Sequence, residues 1–264
     1  LGVLKIQRPG IEDTIRTDLS ILRQLASLAK ATGAAAPLDP VAIVVEFERT
    51  ILRELDYVVE GRETDAFRKQ HAADPEILIP EIFWETSTKR VLTMERVQGI
   101  KVSSIDDLRS AGHDLPKIAR KLVHVILAQV LLLDRFHADP HPGNLLVTPD
   151  GRLALIDFGM SGGFDRLTRR ALADILTDIS SRDATRLADH LLQHGFVDYD
   201  ADLRALQRDA RGMFRLLKSN AGMSEVVELF IRFVITHRLN FPPDLFFLDK
   251  VFGTLDGAVK TLDP

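Results

Sequence analysis

Hydrophobic residues recur at helical spacing in some stretches of the chain and alternate in others. Residues 2–7 alternate loosely around β-forming side chains and stop at the turn sequence RPG, which predicts a short strand. Over residues 12–30 apolar positions return every three or four residues, which predicts an amphipathic helix. Asp39 and Pro40 then supply an N-cap and a first helical residue, so a second helix is expected over residues 41–72.

The middle of the chain mixes strand and helix patterns. EILIPEIFWET (76–86) and RVLTMERVQG (90–99) read as two strands joined by a polar turn. Asp114 can cap a long apolar helix that ends near Arg135. NLLVTPDGRLALIDFG (144–159) then predicts a hairpin, with Pro-Asp-Gly as its turn.

After Arg166 the pattern is helical throughout, in four or five segments. We therefore predict an α+β fold of two lobes, with an N-lobe over residues 1–97 that holds a small antiparallel sheet and extra helices. A mainly helical C-lobe is expected over residues 98–264, with a hinge near residues 95–102.

Composition narrows the classes of protein that fit this pattern. The 264 residues carry a net charge of −4, which gives no support to nucleic-acid binding, and they contain no cysteine for disulfides or thiolate metal sites. The most apolar stretch, residues 122–133, is too short to span a bilayer and includes His124 and Gln129. A buried core helix is the better interpretation of that stretch.

The segment FHADPHPGNLLV (136–147) has a composition that neither a helix nor a strand requires. Phosphoryl transfer uses a carboxylate beside the attacking oxygen and hard oxygen ligands for Mg²⁺. Asp139 is the candidate catalytic carboxylate, while Asn144 and Asp157 are candidate metal ligands. The step from Asp139 to Asn144, followed by DFG at 157–159, matches the protein-kinase signature. We therefore favour a kinase-like nucleotide site over a set of turn residues.

The motifs HADPHPGN, LIDFGM, KIQRPG and ELDYVVE together resemble the UbiB/ADCK (AarF, ABC-one) family of atypical, protein-kinase-like proteins. The resemblance runs from Lys5 to the closing GTLDGAVKTLDP. It implies a protein-kinase-like fold, ATP and Mg²⁺ as cofactors, and a role linked to ubiquinone or other prenyl-quinone lipids. It also implies a role at a membrane. We expect a cytoplasmic location with membrane association of the full-length protein by peripheral contact, in either a bacterium or an organelle.

The resemblance also implies roles for individual residues. Lys5 matches the lysine that contacts the α- and β-phosphates, and Glu60 matches the glutamate that pairs with it. Glu54 and Asp56 match a pair of regulatory carboxylates in the motif ExD. Asp139, Asn144 and Asp157 match the catalytic-loop and metal positions. Separately, the stretch TMERVQG offers backbone groups of Glu95 and Val97 to an adenine.

The chain departs from the family pattern at several points. Glu63 stands where the family usually has asparagine, and Asp134-Arg135 replaces a glycine before FHAD. The family's alanine-rich nucleotide loop and KxGQ helix precede the lysine strand and do not occur in this sequence. The sequence is therefore expected to be a fragment in which Glu54 and Asp56 lack the lysine of that helix.

Several functions stay open at this point. The first is an atypical ATPase, or a small-molecule or lipid-linked kinase, that supports prenyl-quinone biosynthesis with a lipid-like acceptor. A conventional protein kinase with a peptide substrate is disfavoured, because no Ala-Pro-Glu follows DFG and a helix is expected to begin near Asp165. An aminoglycoside- or choline-kinase-like phosphotransferase is a rival, and a non-catalytic, lipid-binding pseudokinase is another.

Overall fold

The computed structural model describes residues 2–32, 40–217 and 222–263. The chain divides into two compact units. The first comprises Leu1–Lys69, Ile79–Val97 and Asp157–Gly159, and the second comprises Gln70–Leu78, Gln98–Ile156 and Met160–Pro264. Residues 70–78 and 157–159 are therefore exceptions to the division at residue 97 that the sequence pattern indicates.

Short strands and longer helices alternate in the first two thirds of the chain, and helices follow. The strands are β1 Gly2–Ile6, β2 Ile77–Leu78, β3 Val91–Glu95, β4 Ile100–Lys101, β5 Phe136–His137, β6 Leu145–Val147, β7 Leu153–Leu155 and β8 Ser161–Gly162. The α-helices are α1 Ile11–Thr32, α2 Pro40–Glu54, α3 Tyr57–Gln70, α4 Ile105–Ser110, α5 Leu115–Leu131, α6 Arg166–Ser181, α7 Ala184–Gln193, α8 Leu203–Leu216, α9 Met223–Thr236 and α10 Phe247–Leu262. Short 3₁₀ turns lie at Trp84–Thr86, Pro142–Asn144 and Pro243–Phe246.

In the first unit, β1 and β3 form a two-stranded antiparallel sheet in which Lys5 lies opposite Leu92. Leu92 is fully buried and packs with Ile82, Met94 and the partly buried ring of Tyr57. Helices α1 and α2 pack against each other. The strand predicted over residues 2–7 and the helix predicted over 12–30 are both confirmed.

The single helix expected over residues 41–72 is wrong, because the chain breaks between α2 and α3 at Leu55 and Asp56. The carboxylate of Asp56 accepts a hydrogen bond from the backbone N–H of Val58, as an N-cap residue does at the start of a new helix. Gln7 donates to the carbonyl oxygen of Leu55 at 2.7 Å, and the backbone N–H of Tyr57 donates to the carbonyl oxygen of Lys89 at 3.1 Å. These long-range bonds satisfy backbone groups that a continuous helix would use internally.

The strand expected over residues 76–86 is also largely wrong. Only Ile77 and Leu78 form a strand, and β2 pairs in parallel with β7 rather than with β3. Pro80 has no N–H for a sheet and restricts the residue before it, so the ladder cannot continue past that point. Beyond it, Ile82 makes one antiparallel bridge to Met94 before the 3₁₀ turn begins.

In the second unit, β2, β7, β6 and β4 form a four-stranded sheet in that order. The predicted hairpin is confirmed as β6 and β7, with Leu145 opposite Leu155. Gly151 in its turn has a φ of 81°, a conformation that favours glycine. Asp114 caps α5 by accepting from the N–H of Lys117, as expected, although the helix ends at Leu131 rather than near Arg135.

The predicted helical segment after residue 166 is present as α6 to α10. Three aspartates, Asp165, Asp183 and Asp202, cap α6, α7 and α8 by accepting backbone N–H groups of the first turn. Helix α10 packs against α5 and α9, so it contacts the helix that precedes residues 136–147, which we call the FHAD loop. Among the described residues, no helix combines the length and apolarity that a membrane span requires.

Candidate functional site

Lys5, Glu60 and Asp157 meet in the first unit. The ammonium nitrogen of Lys5 lies 2.7 Å from Oε1 and 2.9 Å from Oε2 of Glu60. The same nitrogen lies 3.1 Å from Oδ2 of Asp157. Glu60 is 4% exposed, whereas Lys5 and Asp157 are 34% and 37% exposed. The ion pair of Lys5 and Glu60 that the sequence predicts is therefore present, and it includes the aspartate of the DFG motif.

Local packing explains how Glu60 approaches the sheet so closely. Glu60 lies in the first turn of α3, and the next residue is the buried Gly61. A Cβ at Gly61 would come within 2.8 Å of the ring of Trp84 and 3.1 Å of Leu92. Trp84 is fixed in turn, because its indole N–H donates to Asp65 at 2.8 Å. Glycine at position 61 thus allows α3 to approach Leu92 of β3, the strand that pairs with the strand carrying Lys5.

The DFG segment is held by its own backbone and by one aromatic ring. The N–H of Gly159 donates to Oδ1 of Asp157 at 3.1 Å, so the other carboxylate oxygen is the one that contacts Lys5. Phe158 is fully buried, with its ring centroid 4.6 Å from that of Phe67 on α3. Phe158 is therefore a packing residue.

The surroundings of Lys5 stabilise its charged form. Partial burial by itself lowers the pKa of Lys5, but the negative charges of Glu60 and Asp157, and their hydrogen bonds to its ammonium group, outweigh that effect. The net result is a pKa raised above the ordinary value of 10.5. The ring of Tyr57, 5.3 Å from the ammonium nitrogen, adds a cation–π contact. Lys5 is thus a fixed positive charge at physiological pH.

Asp139 and Asn144 belong to the second unit, where a chain of local hydrogen bonds shapes their loop. The N–H of His141 donates to the carbonyl oxygen of Asp139, and the N–H of Asn144 donates to that of His141, both at 2.7 Å. The ring of His141 accepts from the N–H of Gly143 at 3.1 Å, which gives this histidine a structural role. The carbonyl oxygen of Asn144 accepts from Ile156, the residue before Asp157.

A buried polar chain behind this loop was not identified from the sequence. Gln129 of α5 is fully buried, and its side-chain oxygen accepts the backbone N–H of His137 at 3.0 Å. Its amide nitrogen must then face the ring of His71, 3.0 Å away, so His71 accepts through Nε2. The backbone N–H of Asp139 donates to Nδ1 of His137 at 3.1 Å. The one signal in the sequence is a glutamine inside the most apolar stretch.

A second contact missed from the sequence involves Lys250 of α10. Its ammonium nitrogen lies 3.5 Å from Oδ2 of Asp139 and 3.1 Å from the sulfur of Met160. Nothing in the local sequence of α10 marks this lysine, because only the return of the helix to α5 brings it to the FHAD loop. Asp139 itself is 31% exposed, so its carboxylate is accessible.

The other residues that the sequence singles out lie in or next to α2, α3 and β3. Asp56 caps α3 through its side chain, a role that the sequence did not assign to it. Glu63 is buried, and the side chain of Glu54 lies outside the described part of the structure. The N–H of Glu95 donates to the carbonyl oxygen of Glu81 at 2.7 Å, so an adenine would have to use the Glu95 carbonyl oxygen. The role of Val97 stays a prediction.

Asp157 and Asn144 are the candidate magnesium ligands. Within residues 2–32, 40–217 and 222–263, no group of three or more histidines and carboxylates is placed to hold a metal ion. Magnesium is commonly held by one or two carboxylates, with phosphate and water oxygens completing its shell. Asp157 and Asn144 supply one carboxylate and one amide oxygen, which fit that chemistry. Their convergence on one ion stays a prediction.

The second unit also contains an apolar cavity between α5, α6, α9 and α10. Every residue that lines it is apolar, and the lining includes Leu176 of α6 and Phe230 of α9.

A sequence model of the ABC1 atypical kinase-like domain matches residues 2–191. The chain therefore belongs to the ABC1 family of atypical kinase-like proteins, and the resemblance seen in its motifs is confirmed. It is 29% identical over 267 residues to Protein ACTIVITY OF BC1 COMPLEX KINASE 7, chloroplastic, of Arabidopsis thaliana. It is 30% identical over 268 residues to the uncharacterized protein sll1770 of Synechocystis sp..

Both alignments cover 99% of this chain, but only 38% and 46% of those two relatives. The chain thus spans less than half the length of the curated relatives it matches. A solved structure of Rv3197 in complex with erythromycin, from Mycobacterium tuberculosis, resembles it with a TM-score of 0.62 and 20% identity. That match covers 99% of this chain and 68% of the other. The predicted kinase-like α+β fold is confirmed.

Proposed function

We propose that this chain binds ATP with Mg²⁺ and catalyses transfer or hydrolysis of the terminal phosphate. The observation that carries the proposal is the contact of Lys5 with both Glu60 and Asp157 in the first unit. In phosphoryl transfer a fixed lysine neutralises the non-transferred phosphates, and an aspartate holds the metal. A raised pKa keeps Lys5 charged for that purpose.

The other residues take roles that follow from their chemistry. Asp139 is the carboxylate beside the attacking oxygen, and it is accessible enough to accept a proton. Asn144 and Asp157 would hold Mg²⁺, which supplies charge neutralisation at the phosphates when bound. The backbone of Glu95 and Val97 would face the adenine.

For the acceptor we propose a lipid-like small molecule, such as a prenyl-quinone precursor, or water in an ATPase that serves prenyl-quinone biosynthesis. The motifs that resemble those of the UbiB/ADCK family support an acceptor of this class. Within the described residues only six residues lie between Gly159 and Arg166, where α6 begins, which leaves little chain to dock a peptide. Peripheral contact with a membrane is part of the same proposal for the longer protein.

The experiment is an ATP-turnover assay on the 264-residue chain, with and without a prenyl-phenol and liposomes. We expect Asp139→Asn to abolish turnover, whereas Asp134→Asn should leave it unchanged. Asp134 is a matched control because it lies five residues earlier and is exposed, in an ion pair with Arg169. Equal turnover by wild type and Asp139→Asn would refute the proposal.

The same assay separates the alternatives. Phosphorylation of an aminoglycoside or of choline would favour the small-molecule phosphotransferases that share a similar loop. Nucleotide binding without turnover in any arm would favour a lipid-binding pseudokinase. Stimulation by the prenyl-phenol or by liposomes supports the proposed acceptor class.

A further inference from the structure

A lysine from the C-terminal helix lies beside the candidate catalytic aspartate. Lys250 of α10 places its ammonium nitrogen 3.5 Å from Oδ2 of Asp139 and 3.1 Å from the sulfur of Met160. All three residues belong to the second unit. Asp139 is therefore accompanied by a positive charge that comes from a distant part of the chain.

Several contacts hold this part of α10 in place. Its neighbours Leu248, Val251 and Phe252 are all buried, which fixes the rotation of the helix and points Lys250 away from the core. Just before the helix, the carboxylate of Asp244 accepts the backbone N–H of Gly163 at 3.0 Å. The start of α10 is thus tied to the segment that follows DFG.

That segment is in turn bonded to the FHAD loop. Strand β8 pairs with β5, with Ser161 opposite His137, and the N–H of Ala138 donates to the carbonyl oxygen of Met160. Met160 and Asp139 therefore occupy fixed positions relative to each other. The ammonium group of Lys250 therefore lies beside a carboxylate whose loop is held by these backbone hydrogen bonds.

The ion pair of Lys250 and Asp139 contributes little to the stability of the fold. The side chain of Lys250 is 45% exposed and that of Asp139 is 31% exposed, and ion pairs with such exposure contribute little to folding. A positive charge beside Asp139 can instead act in the reaction. Whatever oxygen Asp139 deprotonates must meet the transferred phosphoryl group, so a cation within 3.5 Å of that carboxylate is close to the developing charge.

We propose that Lys250 is a further catalytic residue, whose ammonium group contacts the terminal phosphate of the nucleotide; this rests on the proposed function. In the reaction an acceptor oxygen, of water or of a hydroxyl group, forms a bond to the terminal phosphorus and passes its proton to Asp139. The bond from that phosphorus to the bridging oxygen breaks, and its electron pair leaves with ADP. Lys250 offsets the negative charge of the transferred group, as cations supplied from elsewhere in the chain do in other phosphoryl-transfer proteins.

The test measures the affinity of the 264-residue chain for a non-hydrolysable ATP analogue and for ADP, both with Mg²⁺, by calorimetry. The variants are Lys250→Met, which keeps the length of the side chain, and Lys250→Arg, which keeps its charge. Lys260→Met is the matched control, because Lys260 lies on the same helix and is exposed. Circular dichroism melting curves establish that each variant is folded.

Loss of a charged contact to the terminal phosphate is expected to weaken binding of the analogue by roughly tenfold or more in Lys250→Met, and to leave ADP affinity unchanged. Lys250→Arg should retain most of the affinity, and Lys260→Met all of it. Unchanged affinity for the analogue in a folded Lys250→Met protein refutes the role of Lys250 while leaving the proposed function standing. Absence of any nucleotide binding by wild type refutes the proposed function, and this inference with it.

Discussion

The ammonium nitrogen of Lys5 lies 3.1 Å from Oδ2 of Asp157, although 152 residues separate the two in the chain. The same nitrogen bonds both oxygens of the buried Glu60. One lysine therefore links the first strand, helix α3 and the DFG motif. A cation at this junction serves both the fold and the proposed phosphate contact, so its removal should affect both.

Replacement of Lys5 by methionine should lower stability and nucleotide affinity together. Glu60 would stay buried without its lysine, at a cost of about 1–3 kcal/mol, below the ~3–5 kcal/mol of fully buried pairs because Lys5 is one-third exposed. Urea unfolding measures this loss. Arg16→Ala, which removes the exposed pair with Glu12, is the control and should leave the unfolding midpoint unchanged. Equal stability of wild type and Lys5→Met would contradict a structural role for the contacts of Lys5 with Glu60 and Asp157.

Substitution of Gln129 by leucine should destabilise the second unit. The leucine preserves volume, but the N–H of His137 and the ring of His71 both lose this hydrogen-bond partner in a buried environment. The expected cost is about 1–3 kcal/mol in the free energy of unfolding. Arg120→Leu on the exposed face of α5 is the matched control and should change it by less than about 0.5 kcal/mol. An unchanged free energy of unfolding in Gln129→Leu would show that the hydrogen bonds of Gln129 with His71 and His137 do not stabilise the fold.

His71 should make the protein less stable in mild acid. Burial lowers the pKa of His71 below its ordinary value of 6.5, and Asp74 offsets only part of this effect. Between the two pKa values the unfolded chain binds the proton and the folded chain does not, so stability is lost as pH falls below 6.5. His71→Gln keeps an acceptor for Gln129 without titrating. Its unfolding free energy should fall less than that of wild type between pH 7.5 and 5.5, and an identical decrease would refute the assignment.

Peptides should not be phosphorylated by this chain. A peptide acceptor needs an ordered platform beside the terminal phosphate, because alignment supplies much of the rate in such reactions. Here the segment from Met160 to Asp165 pairs with the FHAD loop through β8 and then enters α6 directly. Incubation with ATP, Mg²⁺ and a broad peptide library provides the measurement. Phosphopeptides that form with wild type and disappear with Asp157→Asn would indicate a protein kinase instead.

The parts of the fold that the sequence predicts correctly depend on local information. Helix α1 follows from apolar spacing, and the hairpin of β6 and β7 follows from its turn, where Gly151 takes a positive φ. Asp114 and Asp165 mark the starts of α5 and α6, because an aspartate accepts the unpaired N–H groups of a first helical turn.

The features that the sequence misses depend on distant partners. The break at Leu55 and Asp56 is stabilised by Gln7 and Lys89, which lie in other elements, so helical periodicity across residues 41–72 gives no warning of it. Strand β2 has its partner in β7, far along the chain. Lys250 reaches Asp139 only because α10 returns to α5, and no local pattern encodes that return.

The most direct test of the account is calorimetric titration of ATP into the 264-residue chain, with Mg²⁺ and then with EDTA, for wild type and Asp157→Asn. The account predicts that wild type binds ATP more tightly with Mg²⁺ than with EDTA. It also predicts that Asp157→Asn loses this difference, because an amide is a weaker magnesium ligand than a carboxylate. Binding that is equal with and without Mg²⁺, or a magnesium effect of the same size in folded Asp157→Asn, would contradict the central claim.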